Sequence, residues 1–73
     1  MFHEVTSTPE LLTGVDEGTP LAVQWLGTGR VNIQLASDTT FFVWPNAVQT
    51  FLPQSEGVTV FSENRGVLFY APA

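Results

Sequence analysis

Apolar and polar residues alternate with a period of two over most of this chain, which favours extended strands over helices. The clearest case is the segment 30–36, in which Val31, Ile33 and Leu35 alternate with polar residues. A strand of this kind buries one face and exposes the other. No segment sustains the spacing of about 3.6 residues per turn that a helix requires. The sequence therefore predicts an all-β protein.

Turn residues divide the alternating sequence into about six to eight short strands. We predict strands at residues 2–6, 21–26, 30–36, 39–44, 47–52, 58–61 and 67–71, with one further short strand around Leu11. The intervening Gly27-Thr28-Gly29 and Glu63-Asn64-Arg65-Gly66 predict two hairpins, one joining 21–26 to 30–36 and one joining 58–61 to 67–71. Strands in this number and spacing predict a small antiparallel β-sandwich or barrel. Residues 1–73 form one domain.

The small size of the chain favours association with another molecule. A core built from 73 residues rarely contributes more than about 3–5 kcal/mol, so proteins of this size add disulfides, a metal or oligomerisation. The chain contains no Cys, and His3 is its only His. Charged residues make up 12% of the chain, although a free small domain carries about 25–35% charged residues on its surface. We therefore expect self-association.

The charge balance argues against nucleic acid and membrane partners. The net charge is -5, and Arg30 and Arg65 are the only cations, so there is no basic patch to neutralise phosphates. No apolar run approaches the roughly 20 residues that cross a bilayer. The start MFHEVTSTPE lacks the basic and apolar regions of a signal peptide. We expect a soluble protein that is synthesised in the cytoplasm.

Several predicted strands are apolar on both faces, which is unusual for a free sandwich. In the segment 39–44, Phe41 and Val43 share one face, while Phe42 and Trp44 share the other. Either the chain covers its own second faces, or another molecule does. We favour the second interpretation, because a chain this short has little left over to cover both. The side chains that we expect at such an interface are Phe42, Trp44, Phe61, Leu68 and Tyr70.

The residues offer little for catalysis. A triad needs a base beside its nucleophile, and the single His3 lies near the chain terminus. Asp16 and Glu17, with Glu56 or Asp38, could form a carboxylate pair, but acids in such loops are usually turn formers. The acidic residues also lack the alternating spacing of a calcium loop. We expect no enzymatic activity, no metal and no cofactor.

The run LGTGRVNIQLASDTTFFVWPNAVQTFLP, followed by GVTVFSENRGVLFYAPA, resembles small all-β accessory structural proteins of tailed bacteriophage virions. The shared pattern is a Gly-x-Gly turn, an alternating strand, a short acidic-polar turn, an aromatic or Leu-Pro segment, and a closing strand that ends in small residues. The resemblance covers approximately residues 22–73. It implies a virion structural role as a head decoration or stabilisation protein, or as a tail or fibre component, usually as a trimer or a higher oligomer. The present chain is shorter than the commoner decoration proteins and lacks their long N-terminal arm.

Three classes of function follow from these observations. The first is a non-enzymatic virion subunit, most concretely a capsid decoration or cementing protein that bridges neighbouring shell proteins; a tail, collar or fibre-attachment component is the variant within this class. The second is a small carbohydrate-binding module that uses Trp25, Trp44 and Tyr70 as a stacking platform. An inhibitor that masks a host enzyme is a third possibility, which only the small, acidic chain favours.

Overall fold

The protein is an all-β structure, as the alternation predicts. A computed structural model describes residues 1–36, 39–53 and 57–73, and it contains no helix in these ranges. No predicted strand end differs from the observed one by more than one residue. The eight strands are β1 (Phe2–Val5), β2 (Glu10–Leu11), β3 (Leu21–Trp25), β4 (Val31–Ala36), β5 (Thr39–Val43), β6 (Val48–Phe51), β7 (Thr59–Phe61) and β8 (Gly66–Pro72).

The strands form two antiparallel sheets of four strands each. Sheet I has the order β1-β8-β3-β6, and sheet II has the order β2-β7-β4-β5. Every connection except that from β4 to β5 crosses from one sheet to the other. This is the strand order of the eight-stranded jelly roll, a double sheet built from two Greek keys. The prediction of a small antiparallel sandwich is confirmed.

The two predicted hairpins are wrong. Strand β3 pairs with β6 and β8, whereas β4 pairs with β5 and β7, so β3 and β4 lie in opposite sheets. Strands β7 and β8 are separated in the same way. The turns after β3 and after β7 are therefore arches that cross the sandwich. Alternation identifies the buried face of a strand, but two strands that share a core can lie side by side or face to face.

The two arches lie beside each other and are joined by hydrogen bonds. The Ser62 hydroxyl donates to the carbonyl oxygen of Arg30 at 2.8 Å and accepts from the backbone N–H of Asn64 at 3.2 Å. The Asn64 side chain donates to the carbonyl oxygen of Thr28 at 3.3 Å. Ser62 is buried, and these two bonds satisfy its hydroxyl group.

Glycines of both arches cover the ring of Trp25, which is completely buried. A Cβ atom at Gly27 would lie 2.2 Å from Cζ2 of the indole, and one at Gly66 would lie 2.5 Å from Cη2. Real Cβ atoms do not approach a ring this closely, so both positions require glycine. The two arches thus close one end of the core over this side chain.

The core is one apolar cluster formed by both sheets. Its buried members are Val5, Leu12, Leu21, Val23, Trp25, Val31, Ile33, Val43, Val58, Val60, Leu68 and Tyr70. The inward face predicted for β4 is confirmed, since Val31 and Ile33 are buried. On β5, Val43 is buried and Phe42 is exposed, as expected for opposite faces.

The prediction that Leu68 and Tyr70 lie on an outer face is wrong. Leu68 is 0% exposed and Tyr70 is 2% exposed, and both belong to the core. The alternate residue Phe69 instead faces outward, where its ring lies 4.9 Å from that of Phe2. Strand β8 lies between β1 and β3 in sheet I and is apolar on both faces. Its pattern alone therefore could not show which face is turned toward the core.

Candidate interaction surface

A groove of about 590 Å³ opens on the outer face of sheet II. We call it the aromatic groove; its main lining side chains are Arg30, Asn32, Phe42, Trp44, Phe61 and Glu63. Strand pairing builds it, because Asn32 on β4 is the register partner of both Phe61 on β7 and Phe42 on β5. These three side chains therefore form one row across the sheet.

The aromatic side chains of the groove are only partly covered. Phe42 is 47% exposed, Trp44 is 59% exposed and Phe61 is half-buried. Phe42 is exposed because Val43, its neighbour on β5, occupies the inward face. Trp44 directly follows the strand, before the turn at Pro45 and Asn46. Exposed rings that line one concave surface are typical of binding sites.

A cation lies directly over one of these rings. The guanidinium carbon of Arg30 is 4.0 Å from the centre of the Phe42 ring. A cation–π contact of this kind contributes about 0.5–1 kcal/mol at an exposed site. Glu63 lines the same groove, so the site presents one positive and one negative side chain beside its aromatic groups. The arrangement can contact apolar and polar parts of a partner together.

Two amides give the groove fixed polar groups. The Asn32 side chain donates to the carbonyl oxygen of Phe61 at 3.2 Å, and the Asn64 side chain donates to that of Thr28. These bonds hold both amides in place, so a partner that hydrogen-bonds to them would not have to order them first.

The structure brings together three of the five predicted interface residues. Phe42, Trp44 and Phe61 all line the aromatic groove, whereas Leu68 and Tyr70 lie in the core. The prediction of a carbohydrate platform made from Trp25, Trp44 and Tyr70 is also wrong, because Trp25 and Tyr70 are buried.

The prediction did not include Arg30 and Asn32 among the site residues. Both alternate with the buried Val31 and Ile33, so the sequence does place them on the outer face of β4. The missing information was the pairing of β4 with β5, which puts them beside the aromatic residues. The short connection between these strands, residues 37 and 38, was the available signal for that pairing.

The two open sides of the sandwich differ in charge. Residues 39–53, which contain the edge strands β5 and β6, include no ionisable side chain, and we call them the uncharged side. The rings of Phe41 and Phe51 meet there at 5.1 Å and join the two sheets. On the opposite side, formed by β1 and β2, His3 Nε2 lies 3.4 Å from a carboxylate oxygen of Glu10.

The described residues contain no group of three or more acidic or His side chains placed to hold a metal ion. His3 and Glu10 lie at the β1/β2 edge and do not line the aromatic groove. The carboxylate pair suggested with Asp38 or Glu56 involves residues outside the described ranges. Among the described residues there is also no helix with the length and apolar character needed to span a bilayer.

No protein-family model, curated protein or solved structure matches the chain. The strand order, the aromatic groove and the uncharged side are therefore the observations on which a functional proposal can be based.

Proposed function

We propose that the chain is a non-enzymatic structural subunit of a virion, most concretely a capsid decoration or cementing protein that bridges neighbouring shell proteins. One observation carries the proposal: Phe42, Trp44 and Phe61 converge in a single groove on the outside of a small jelly roll. The pattern shared with accessory proteins of tailed bacteriophages gives this binding role its biological setting.

The composition of the groove suits a protein partner. Burying a large aromatic side chain contributes about 1.5–3 kcal/mol, and aromatic residues and Arg dominate the binding energy of protein interfaces. Trp44 and Phe42 would form the apolar centre of such a contact, with Arg30 and Glu63 in its polar rim. The fixed amide of Asn32 lies between the aromatic groups, where it can bond to the backbone of a bound segment.

The occupant that we propose is an extended segment of a shell protein. The groove crosses strands and has polar groups along it. A site of this shape fits an extended chain better than a flat site would. One groove of this size gives a modest affinity. Many identical contacts on a symmetric shell would raise the total affinity through multivalency, without any further contact in each subunit.

The fold adds an analogy and no more. Jelly rolls occur in viral capsid proteins, in lectin domains and in cupins, so this architecture is compatible with several functions. The function has to be argued from the groove. A tail, collar or fibre-attachment component would use the same aromatic side chains against a different partner, and it is the alternative within the class.

The carbohydrate-binding alternative is weaker than the assembly role. It depended on three rings acting as one platform, and Trp44 is the only one of them that is exposed. Arg30 also covers one face of the neighbouring Phe42 ring, which removes that face from stacking with a sugar.

The proposal can be tested on particles made by cells that carry the gene. The tagged chain is expressed there, particles are isolated on a density gradient, and the ratio of chain to major shell protein is measured. We expect a fixed ratio. Trp44→Ala should lower the occupancy about tenfold or more, because an aromatic hot spot contributes at least ~2 kcal/mol.

Phe2→Ala is the matched control. Phe2 is an exposed aromatic residue as well, at 67%, but it belongs to sheet I and does not line the groove. Its loss should leave occupancy unchanged. Absence of the chain from purified particles would overturn the virion role. Equal effects of the two substitutions would overturn the assignment of the groove.

A further inference from the structure

The uncharged side differs from the rest of the molecule. Residues 39–53 include none of the seven acidic or two basic residues of the chain and not its single His. The same fifteen residues contain four of the eight exposed large apolar side chains among the described residues: Phe42, Trp44, Val48 and Leu52. A concentration of exposed apolar groups is typical of an interface. The charged neighbours of this segment are Arg30 and Glu63, which lie beside Phe42 and Trp44 in the aromatic groove.

The absence of acidic residues from residues 39–53 allows this surface to pack against a second copy of itself. In a two-fold contact the same surface is present on both partners, so each charge on it faces a like charge. A chain with a net charge of -5 therefore associates best through a surface without acidic residues. The β1/β2 side contains Glu4 and Glu10, which would repel their copies.

The backbone also favours a strand as the occupant. Within the described ranges, strand β5 is the outermost strand of sheet II, and β4 is the strand with which it pairs. Natural edge strands are protected by charged residues or proline, and β5, with the sequence TTFFV, contains neither. Its outer edge can thus add another strand, and an antiparallel copy of β5 is a complementary one.

We propose that two copies of the chain pair through their β5 strands, in antiparallel orientation, to join two sheets II into one continuous sheet of eight strands. This inference deepens the proposed function and rests on it, since it names the contact by which the virion subunit associates with itself. A two-fold axis perpendicular to the joined sheet keeps the same face of both copies outward. The pair then presents two aromatic grooves to the same side, and it can bind two sites of one shell.

The test uses the full chain and measures its molar mass by size-exclusion chromatography with light scattering at increasing concentration. We expect twice the 8.0 kDa of one chain, or a higher even multiple. Thr40→Lys and Thr40→Asp change an exposed residue of β5 and bring like charges of the two copies close to the axis. Thr40 also lines the aromatic groove, so these two variants are judged by molar mass alone. Both should weaken association about tenfold or more.

Glu4→Gln is the control, because it raises the net charge by one unit, as Thr40→Lys does, but on the β1/β2 side. It should leave the molar mass unchanged. A monomer at every concentration, an odd-numbered oligomer, or equal effects of Thr40→Lys and Glu4→Gln would overturn the pairing. If Thr40→Asp weakened association and Thr40→Lys did not, the more negative net charge would explain the loss of association. The pairing through β5 would again be overturned.

Hydrogen exchange provides a second measurement that does not depend on a variant. Amides of residues 39–43 should become more protected as the concentration rises, whereas those of β1 should not change. No change at β5 in an associated sample would contradict the proposal. Particle occupancy reports separately on the virion role: a wild-type chain that binds particles but stays monomeric at every concentration would disprove the pairing and leave the proposed function intact.

Discussion

The hydroxyl of Tyr70 donates a hydrogen bond of 2.8 Å to the backbone carbonyl oxygen of Thr13, a residue 57 positions earlier in the chain. Tyr70 lies on the central strand β8, and Thr13 lies in the segment between β2 and β3. The bond ties this segment to the core. It also explains how a residue with a polar group can be almost completely buried, since its hydroxyl has a partner.

We expect Tyr70→Phe to lower the free energy of unfolding by about 1 kcal/mol, because it removes one buried hydrogen bond and leaves the ring in place. Denaturant titration followed by circular dichroism measures this change. Particle occupancy should stay at the wild-type value for the protein that remains folded. An unchanged unfolding midpoint with reduced occupancy would instead assign Tyr70 to the interface, as the sequence had suggested.

Gly66→Ala should destabilise the fold through its contact with Trp25. The new Cβ atom would lie 2.5 Å from the indole Cη2 and 2.7 Å from the Cα atom of Gly27, so backbone as well as side chain must move. Overpacking of this kind costs about 1–3 kcal/mol. Thermal unfolding measures the loss. Thr28→Ala, an exposed position in the neighbouring arch, is the control and should remain within about 0.5 kcal/mol of wild type.

Ser62→Ala should separate the two arches. The hydroxyl is buried and bonds to backbone groups of Arg30 and Asn64, so its removal leaves both without that partner. We expect a loss of about 1–3 kcal/mol in the free energy of unfolding. Ser7→Ala, at an exposed position beside the groove, serves as the comparison. Equal stability of the two variants would show that the Ser62 bonds contribute nothing net.

The positions of the strands could be predicted from the sequence, because alternation and turn residues are local signals. Strands such as β4 have one polar face, which fixes the side that is buried. Strand β8 has no polar face, so the sequence did not show which face is buried, and the outer face predicted for Leu68 and Tyr70 was wrong. The deciding contacts, such as the bond from Tyr70 to Thr13, join residues that are far apart in the chain.

The partners of the strands could not be predicted, since an arch and a hairpin use similar turn residues. Gly27 favours a turn in either case, and only the ring of Trp25 beneath it shows why glycine is required. The residues of the groove could be predicted only in part, because the partners of the strands were unknown. Phe42 and Trp44 follow from the alternation in one strand, but Arg30 joins them only because β4 and β5 are neighbours.

The two tryptophans provide a test of both the fold and the groove. Trp25 is completely buried, and Trp44 is 59% exposed. Acrylamide should therefore quench one part of the wild-type fluorescence readily and leave the other part protected. In Trp44→Phe, the remaining emission should lie at shorter wavelength and resist quenching until denaturant unfolds the chain.

Association should change only the accessible component. If Trp44 contributes to an interface, its emission should become protected as the chain binds purified particles, while the emission of Trp25 stays constant. Titration of the Trp44→Phe variant with the quencher, in the absence of particles, reports Trp25 alone and provides the baseline. Quenching of the residual emission as fast as that of a free indole would contradict the burial of Trp25 beneath Gly27 and Gly66, and with it the arrangement of the two arches.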